Sequence, residues 1–158
     1  MDFWNLIEKQ NLSRISKLNN MPPDLSESIE YAESYINAQN WCDQITDSYL
    51  GLYEEGIVTI VLFKIESEYS NVDDCVWCIT GDIPPAYITC DSAVDPVSAL
   101  GGYIGAMDDW VEAALKGKSV DELIPVNVAP TKEYAEMLKS RLDFLFENIV
   151  KPNDAVVN

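Results

Sequence analysis

The apolar positions along the chain change period, first helical, then extended, then helical again. Near the start Phe3, Leu6 and Ile7, continued by Leu12, Ile15 and Leu18, recur at helical spacing, with Asp2 placed to cap the first turn. Asn19, Asn20, Pro22 and Pro23 end that segment. A second helix opens at Asp24 or Ser26, with Leu25, Ile29, Ala32 and Ile36 on one face and Glu27, Glu30 and Asn37 on the other. The phase breaks near Asn40, because Trp41 would fall opposite Ile36 if the helix continued. A third helix is therefore expected from Trp41, burying Trp41, Ile45, Tyr49 and Leu52 and turning Asp43, Asp47, Leu50 and Glu54 outward.

Gly56 stops the helical run. Residues 57 to 65 are β-branched or aromatic on both faces in their middle, the pattern of a central strand. Asn71, Asp73 and Asp74 mark a turn, Cys75 to Thr80 a second strand, Gly81-Asp82-Ile83-Pro84-Pro85 a tight connection, and Ala86 to Cys90 a third strand. Connections this short predict an antiparallel meander.

Asp95-Pro96 places an N-cap and a proline at N1, opening a helix to Gly117 with Val97, Leu100, Ile104, Met107, Val111 and Leu115 inward. Gly101, Gly102 and Gly105 each weaken such a helix by roughly 1 kcal/mol relative to Ala, so close packing against the sheet is expected to offset them. Ser119-Val120-Asp121-Glu122 matches a capping box for one further turn ended by Pro125. Val126 to Val128 reads as an edge strand, and Thr131 opens a last helix through Tyr134, Leu138, Leu142, Leu145 and Ile149. The predicted architecture is a single α+β domain over residues 1–151, with a small antiparallel sheet of three to four strands packed with several helices, and a frayed tail at 152–158.

With 158 residues, 47% of them hydrophobic, the chain can build a real core. It begins Met1-Asp2-Phe3-Trp4, without the basic and apolar regions of a signal peptide, and no apolar run reaches membrane-spanning length. A cytoplasmic protein that does not enter membranes is expected. Cys42, Cys75, Cys78 and Cys90 lie among aromatic and β-branched residues and read as buried free thiols. Cys75-Val76-Trp77-Cys78 has C-x-x-C spacing, yet Val76, Trp77 and Ile79 favour a strand, where residues three apart point to opposite faces. Neither a metal nor a redox role is assigned, and no cofactor is expected.

The chain has no histidine, which removes the imidazole base of the usual serine and cysteine triads. Asp108, Asp109 and Glu112 share a helix at spacings that could hold magnesium, although most helices display such a polar face. No P-loop is present, and Gly101-Gly102-x-x-Gly105 lacks the spacing of a dinucleotide site. Charge is more informative. Of a formal −17, nearly all arises between residues 21 and 100, which contain 15 acidic residues and one basic residue, Lys64. A folded domain with that imbalance repels nucleic acid and anionic membrane and attracts cationic partners. The expected contact residues are Asp43, Asp47 and Glu54 around Leu50 on the third helix, with Tyr31 and Tyr35 bordering the second.

Trp77-x-x-x-Gly81-Asp82-x-Pro84, followed by Tyr87-Ile88 and the Asp95-Pro96 helix with Ala99, Leu100 and Tyr103, resembles a bacterial domain-of-unknown-function family with a W-x-x-x-G-D-x-P signature. The match covers about the middle third and implies a bacterial origin and an α+β fold, with no known activity. In size and charge the chain is similar to immunity proteins that protect a cell from polymorphic or contact-dependent toxins. The expected function is accordingly a non-enzymatic binding protein that neutralises a basic toxin domain, with a nuclease as the favoured class. The alternatives are a carboxylate-based metal-dependent enzyme using Asp108, Asp109 and Glu112, or a structural or regulatory subunit whose acidity maintains solubility.

Overall fold

In the computed structural model, which describes residues 3–10 and 12–153, the β-branched runs pair into a five-stranded antiparallel sheet. Its strands are β1 (Ser13–Arg14), β2 (Gln44–Glu54), β3 (Val58–Glu66), β4 (Cys75–Gly81) and β5 (Ala86–Thr89), arranged in chain order. The helices are α1 (Phe3–Gln10), α2 (Pro23–Asn37), α3 (Pro96–Leu115) and α4 (Lys132–Leu145). The α+β reading and the meander hold, but the sheet has five strands rather than three to four. No helix among the described residues is long and apolar enough to cross a membrane.

The two central strands are buried on both faces and alternate between two cores. Val58, Ile60 and Leu62, with Cys75, Trp77 and Ile79, point to α3, α4 and Ile7 of α1. Val61, Phe63 and Ile65, with Val76 and Cys78, point to Leu25, Ile29, Ala32 and Ile36 of α2. Each large side chain so buried contributes roughly 1.5–3 kcal/mol, and together they hold three layers with the sheet in the middle. The inward face expected for α2 is the observed one.

The third helix expected from Trp41 to Glu54 does not exist, because residues Gln44–Glu54 form β2. Two register shifts against β3, between Ile45 and Asp47 and between Leu50 and Leu52, account for the helical spacing of its apolar residues. Each inserts one residue and flips the phase of the strand beyond it, so residues on one face fall three apart across a bulge instead of two, as Tyr49 and Leu52 do. Ile45 and Leu50 therefore pack with α2, whereas Tyr49 and Leu52 pack on the opposite core.

Other elements are shorter or longer than expected. The segment after α1 turns into β1 and a 3₁₀ turn at Ile15–Lys17 instead of continuing as helix. Ser119 Oγ accepts from the Asp121 amide without starting a helical turn, and Val126 to Val128 is not a strand. After α4 the chain passes through a π-helical turn at Phe146–Val150 and stays helical through 153, where fraying was expected from 152. Leu115 and Tyr134, both expected inward, are exposed. The cap expected at Asp2, the inward side chains of Phe3 and Leu6, and the tail beyond Asn153 lie outside the described residues.

Asp95 caps α3 as expected, accepting from the Ser98 amide at 2.7 Å. Its glycines do not serve the predicted purpose. A Cβ on Gly101 or Gly105 would meet nothing within 4 Å, and one on Gly102 would only touch Ile88 at 3.8 Å. Gly105→Ala is therefore expected to stabilise the protein by about 0.5–1 kcal/mol through helix propensity alone. Thermal unfolding checks this, and a destabilised variant would restore a close approach at that position.

Candidate partner-binding surface

The β2–β3 and β4–β5 turns, the N-terminal half of α2 and the outer side of α4 meet at one end of the sheet. Gly81 and Asp82 lie at the junction. Gly81 has φ +141° and its Cα is pressed against the chain at Ile57, where a Cβ would stand 2.3 Å from the carbonyl oxygen. That close approach carries the Asp82 amide to the same Ile57 carbonyl at 3.1 Å and leaves the Asp82 carboxylate outside, paired with Arg141 Nε at 3.1 Å. Pro84 then offers its carbonyl to the Tyr103 hydroxyl at 2.6 Å. The Trp77-x-x-x-Gly81-Asp82-x-Pro84 residues thus shape the junction, with Trp77 anchored below by its Nε1–H to the Ala93 carbonyl at 3.0 Å.

Three concavities open around it. One of about 390 Å³, between α2 and the sheet, is lined by Asp24, Glu27 and Tyr31 of α2, Glu54 of β2, and Thr59 and Thr80 of β3 and β4. A second, about 310 Å³, shares Tyr31 and Asp82 and adds Tyr134, Met137 and Arg141. The third, about 360 Å³, brings Phe144 beside Asp82 and Arg141. Tyr31, Tyr134, Met137 and Phe144 stand 45 to 51% exposed. Large apolar side chains clustered around a charged junction are the usual composition of a protein interface.

This end of the sheet carries carboxylates without an ion-pair partner among the described residues, as do Asp43, Glu66, Glu68, Asp73 and Asp91 elsewhere, and it sets them beside the exposed apolar side chains. Among the described residues, four lysines of the C-terminal third pair with acids close by, Lys116 with Glu112, Lys132 with Glu136, Lys139 with Asp108 and Asp143, and Lys151 with Glu147, while Arg141 pairs with Asp82 at this end. No ion pair among the described residues involves Asp24, Glu27, Glu30 or Glu54. Burial and, next, the charge of Glu30 push the Glu33 carboxyl above its ordinary range. Asp24 is held in place by the Tyr53 hydroxyl, which donates to it at 2.7 Å. That hydrogen bond pushes the Tyr53 pKa up to about 12, so the phenol stays a donor well into the alkaline range.

The residues expected at the contact face are only partly brought together. Tyr31 and Glu54 line the same concavity, although Glu54 reaches it from the end of a strand and not from a helix. Tyr35, half-buried, packs against the α2-side core, where burial pushes its pKa up to about 12. Asp43 lies in the loop after α2, its amide bonded to the Glu66 carbonyl at 2.9 Å. Asp47 is engaged by Arg14 Nε at 3.0 Å, and Arg14 also donates to the Tyr49 hydroxyl at 2.9 Å. Leu50 packs on the α2-side core with Trp41 and Ile45, so it is not the exposed knob that a helix would have made of it.

Asp24, Asp82, Met137 and Phe144 were not among the expected contacts. The one available signal for the last two was a second stripe on α4, Tyr134, Met137, Arg141 and Phe144 at intervals of three and four, beside the buried register of Ala135, Leu138, Leu142 and Leu145.

Of the three carboxylates considered for a metal, two are tied to lysines, Asp108 to Lys139 at 3.5 Å and Glu112 to Lys116, and Asp109 is in no ion pair among the described residues. No group of three metal-ligating side chains occurs among the described residues. The four thiols are free and buried, as expected, and are divided by the sheet, with Cys75 and Cys90 on the α3 side and Cys42 and Cys78 on the α2 side. A hydrogen bond with Cys75 and burial raise the Cys90 pKa, and burial raises those of Cys78 and Cys42, so these sulfurs stay protonated. Comparison with family models, with curated proteins and with solved structures finds no match to this chain.

Proposed function

We propose that this chain is a non-catalytic binding protein of the immunity type, acting in the cytoplasm, which docks a basic toxin domain on the end of the sheet around Gly81 and Asp82. The observation that carries the reading is the set of carboxylates at that end without a basic partner among the described residues, set beside exposed tyrosine, methionine and phenylalanine. Unpaired acid draws a cationic surface in, and apolar anchors then hold it. A nuclease is the toxin class that fits best, because it must present lysine and arginine to phosphate and those side chains would be covered. Steering by such a field accelerates capture by about ten to a thousandfold at low salt.

The test uses a double charge reversal, Asp24→Lys with Glu27→Lys, against Asp73→Lys with Asp91→Lys, two exposed carboxylates at the opposite end of the sheet. Both pairs change net charge equally. The first is expected to slow association with the basic partner by about tenfold or more and to flatten its salt dependence, the second to change it little. Equal losses in the two variants would show that only overall charge matters, and the docking surface would have to be given up.

A further inference from the structure

We propose that the concavity between α2 and the sheet receives a single basic side chain of the partner, an arginine in preference to a lysine. This rests on the reading of that end as the docking surface, and it adds the chemistry of one anchor. The floor of the concavity is the cross-strand pair Thr59 and Thr80, each only 2% exposed. Thr80 Oγ1 is the one buried side-chain polar atom among the described residues with no hydrogen-bond partner. A buried hydroxyl left in that condition is costly, and its lone pairs suit an incoming N–H donor. Above it the rim carries Asp24, Glu27 and Glu54, none of them in an ion pair among the described residues.

The spread of these acceptors selects the ligand. A divalent cation needs several oxygens converging at roughly 2.0–2.6 Å, and the described residues form no such cluster. An anion is repelled by the rim. A guanidinium distributes five N–H donors over a rigid plane, so it can reach the threonine hydroxyl and separate carboxylates at once, where an ammonium presents a compact point charge. The volume of about 390 Å³ lies near the lower end for ligand sites and suits one side chain rather than a folded element.

The test monitors backbone amide resonances of the intact chain while N-acetyl-arginine methylamide is added, with the lysine analogue, the neutral citrulline analogue and spermidine as separate arms. Saturable shifts centred on Glu54, Thr80 and Gly81 are expected with the arginine probe, smaller ones with lysine and none with citrulline. Thr80→Val should weaken the arginine probe about tenfold. The same substitution should raise the melting temperature, because it removes the unpartnered hydroxyl, so a loss of binding cannot be blamed on unfolding. Unchanged binding in Thr80→Val, or shifts scattered over every acidic face, would overturn the assignment. Spermidine binding tenfold more tightly than the arginine probe would overturn it too, in favour of a free polyamine. If the probes fail while Asp24→Lys with Glu27→Lys still abolishes partner capture, the docking face stands and the arginine anchor falls.

Discussion

Gly81→Ala is expected to destabilise the protein by about 3 kcal/mol or more, lowering its melting temperature by roughly 10 °C. Two independent causes act at this position. Its φ of +141° is a conformation that side-chain-bearing residues rarely adopt. A Cβ would also stand 2.3 Å from the Ile57 oxygen and 2.8 Å from Val58 Cα, both backbone atoms that cannot swing aside. Relief requires β3 and β4 to separate where Val58 pairs with Gly81, which also moves the floor of the concavity one residue away. Chemical denaturation of the purified variant measures the effect. A loss below about 1 kcal/mol would show that the turn relaxes freely and is not a fixed junction.

Trp77→Ala should cost about 3–5 kcal/mol, with part of that loss kept by Trp77→Phe. The indole is fully buried in the larger core, against α3, and its N–H is bonded to the Ala93 carbonyl in the loop that leads into the Asp95 cap. Truncation to alanine removes the ring and leaves both a cavity and an unpartnered carbonyl. Phenylalanine restores much of the volume but not the donor, so the difference between the two variants separates packing from the hydrogen bond, worth about 1–3 kcal/mol when a buried partner is orphaned. Equal losses in the two variants would assign the whole effect to the hydrogen bond and contradict the packing argument.

How far the sequence was legible depended on whether period alone decided an element. For α2 and α3 it did, since Leu25, Ile29, Ala32 and Ile36, and Leu100, Ile104, Met107 and Val111, occupy one face each as their spacing implies. In β3 and β4 the runs of β-branched and aromatic residues were enough, because both faces of a central strand are buried. β2 failed for a physical reason. Bulges near Thr46 and Gly51 shift the phase twice, and Gly51 is the residue that lets the second one sit within 3.0 Å of Pro96 and 3.1 Å of the Ile60 carbonyl, were a Cβ present. A glycine inside a strand pattern is a known sign of a bulge, and here it was the only local one.

The candidate site was partly visible for the same reason. Tyr31 was found because exposure of an aromatic on a well-predicted helix can be read from the helical wheel. The pairing of Asp47 with Arg14 could not be seen, because it depends on a two-residue strand, Ser13–Arg14, lying against Leu50 and Tyr49. Nor could the junction at Asp82, which brings α4 beside a turn 59 residues away in sequence.

The most direct test of the docking surface is amide hydrogen exchange of the protein alone and in complex with the basic protein it captures at low salt. Slowed exchange on binding should concentrate in residues 24–31, 54–59, 80–85 and 134–144, the segments that frame the three concavities. Protection confined to residues 43–47, or to the opposite end of the sheet around Trp41, Asn71 and Tyr87, would contradict it.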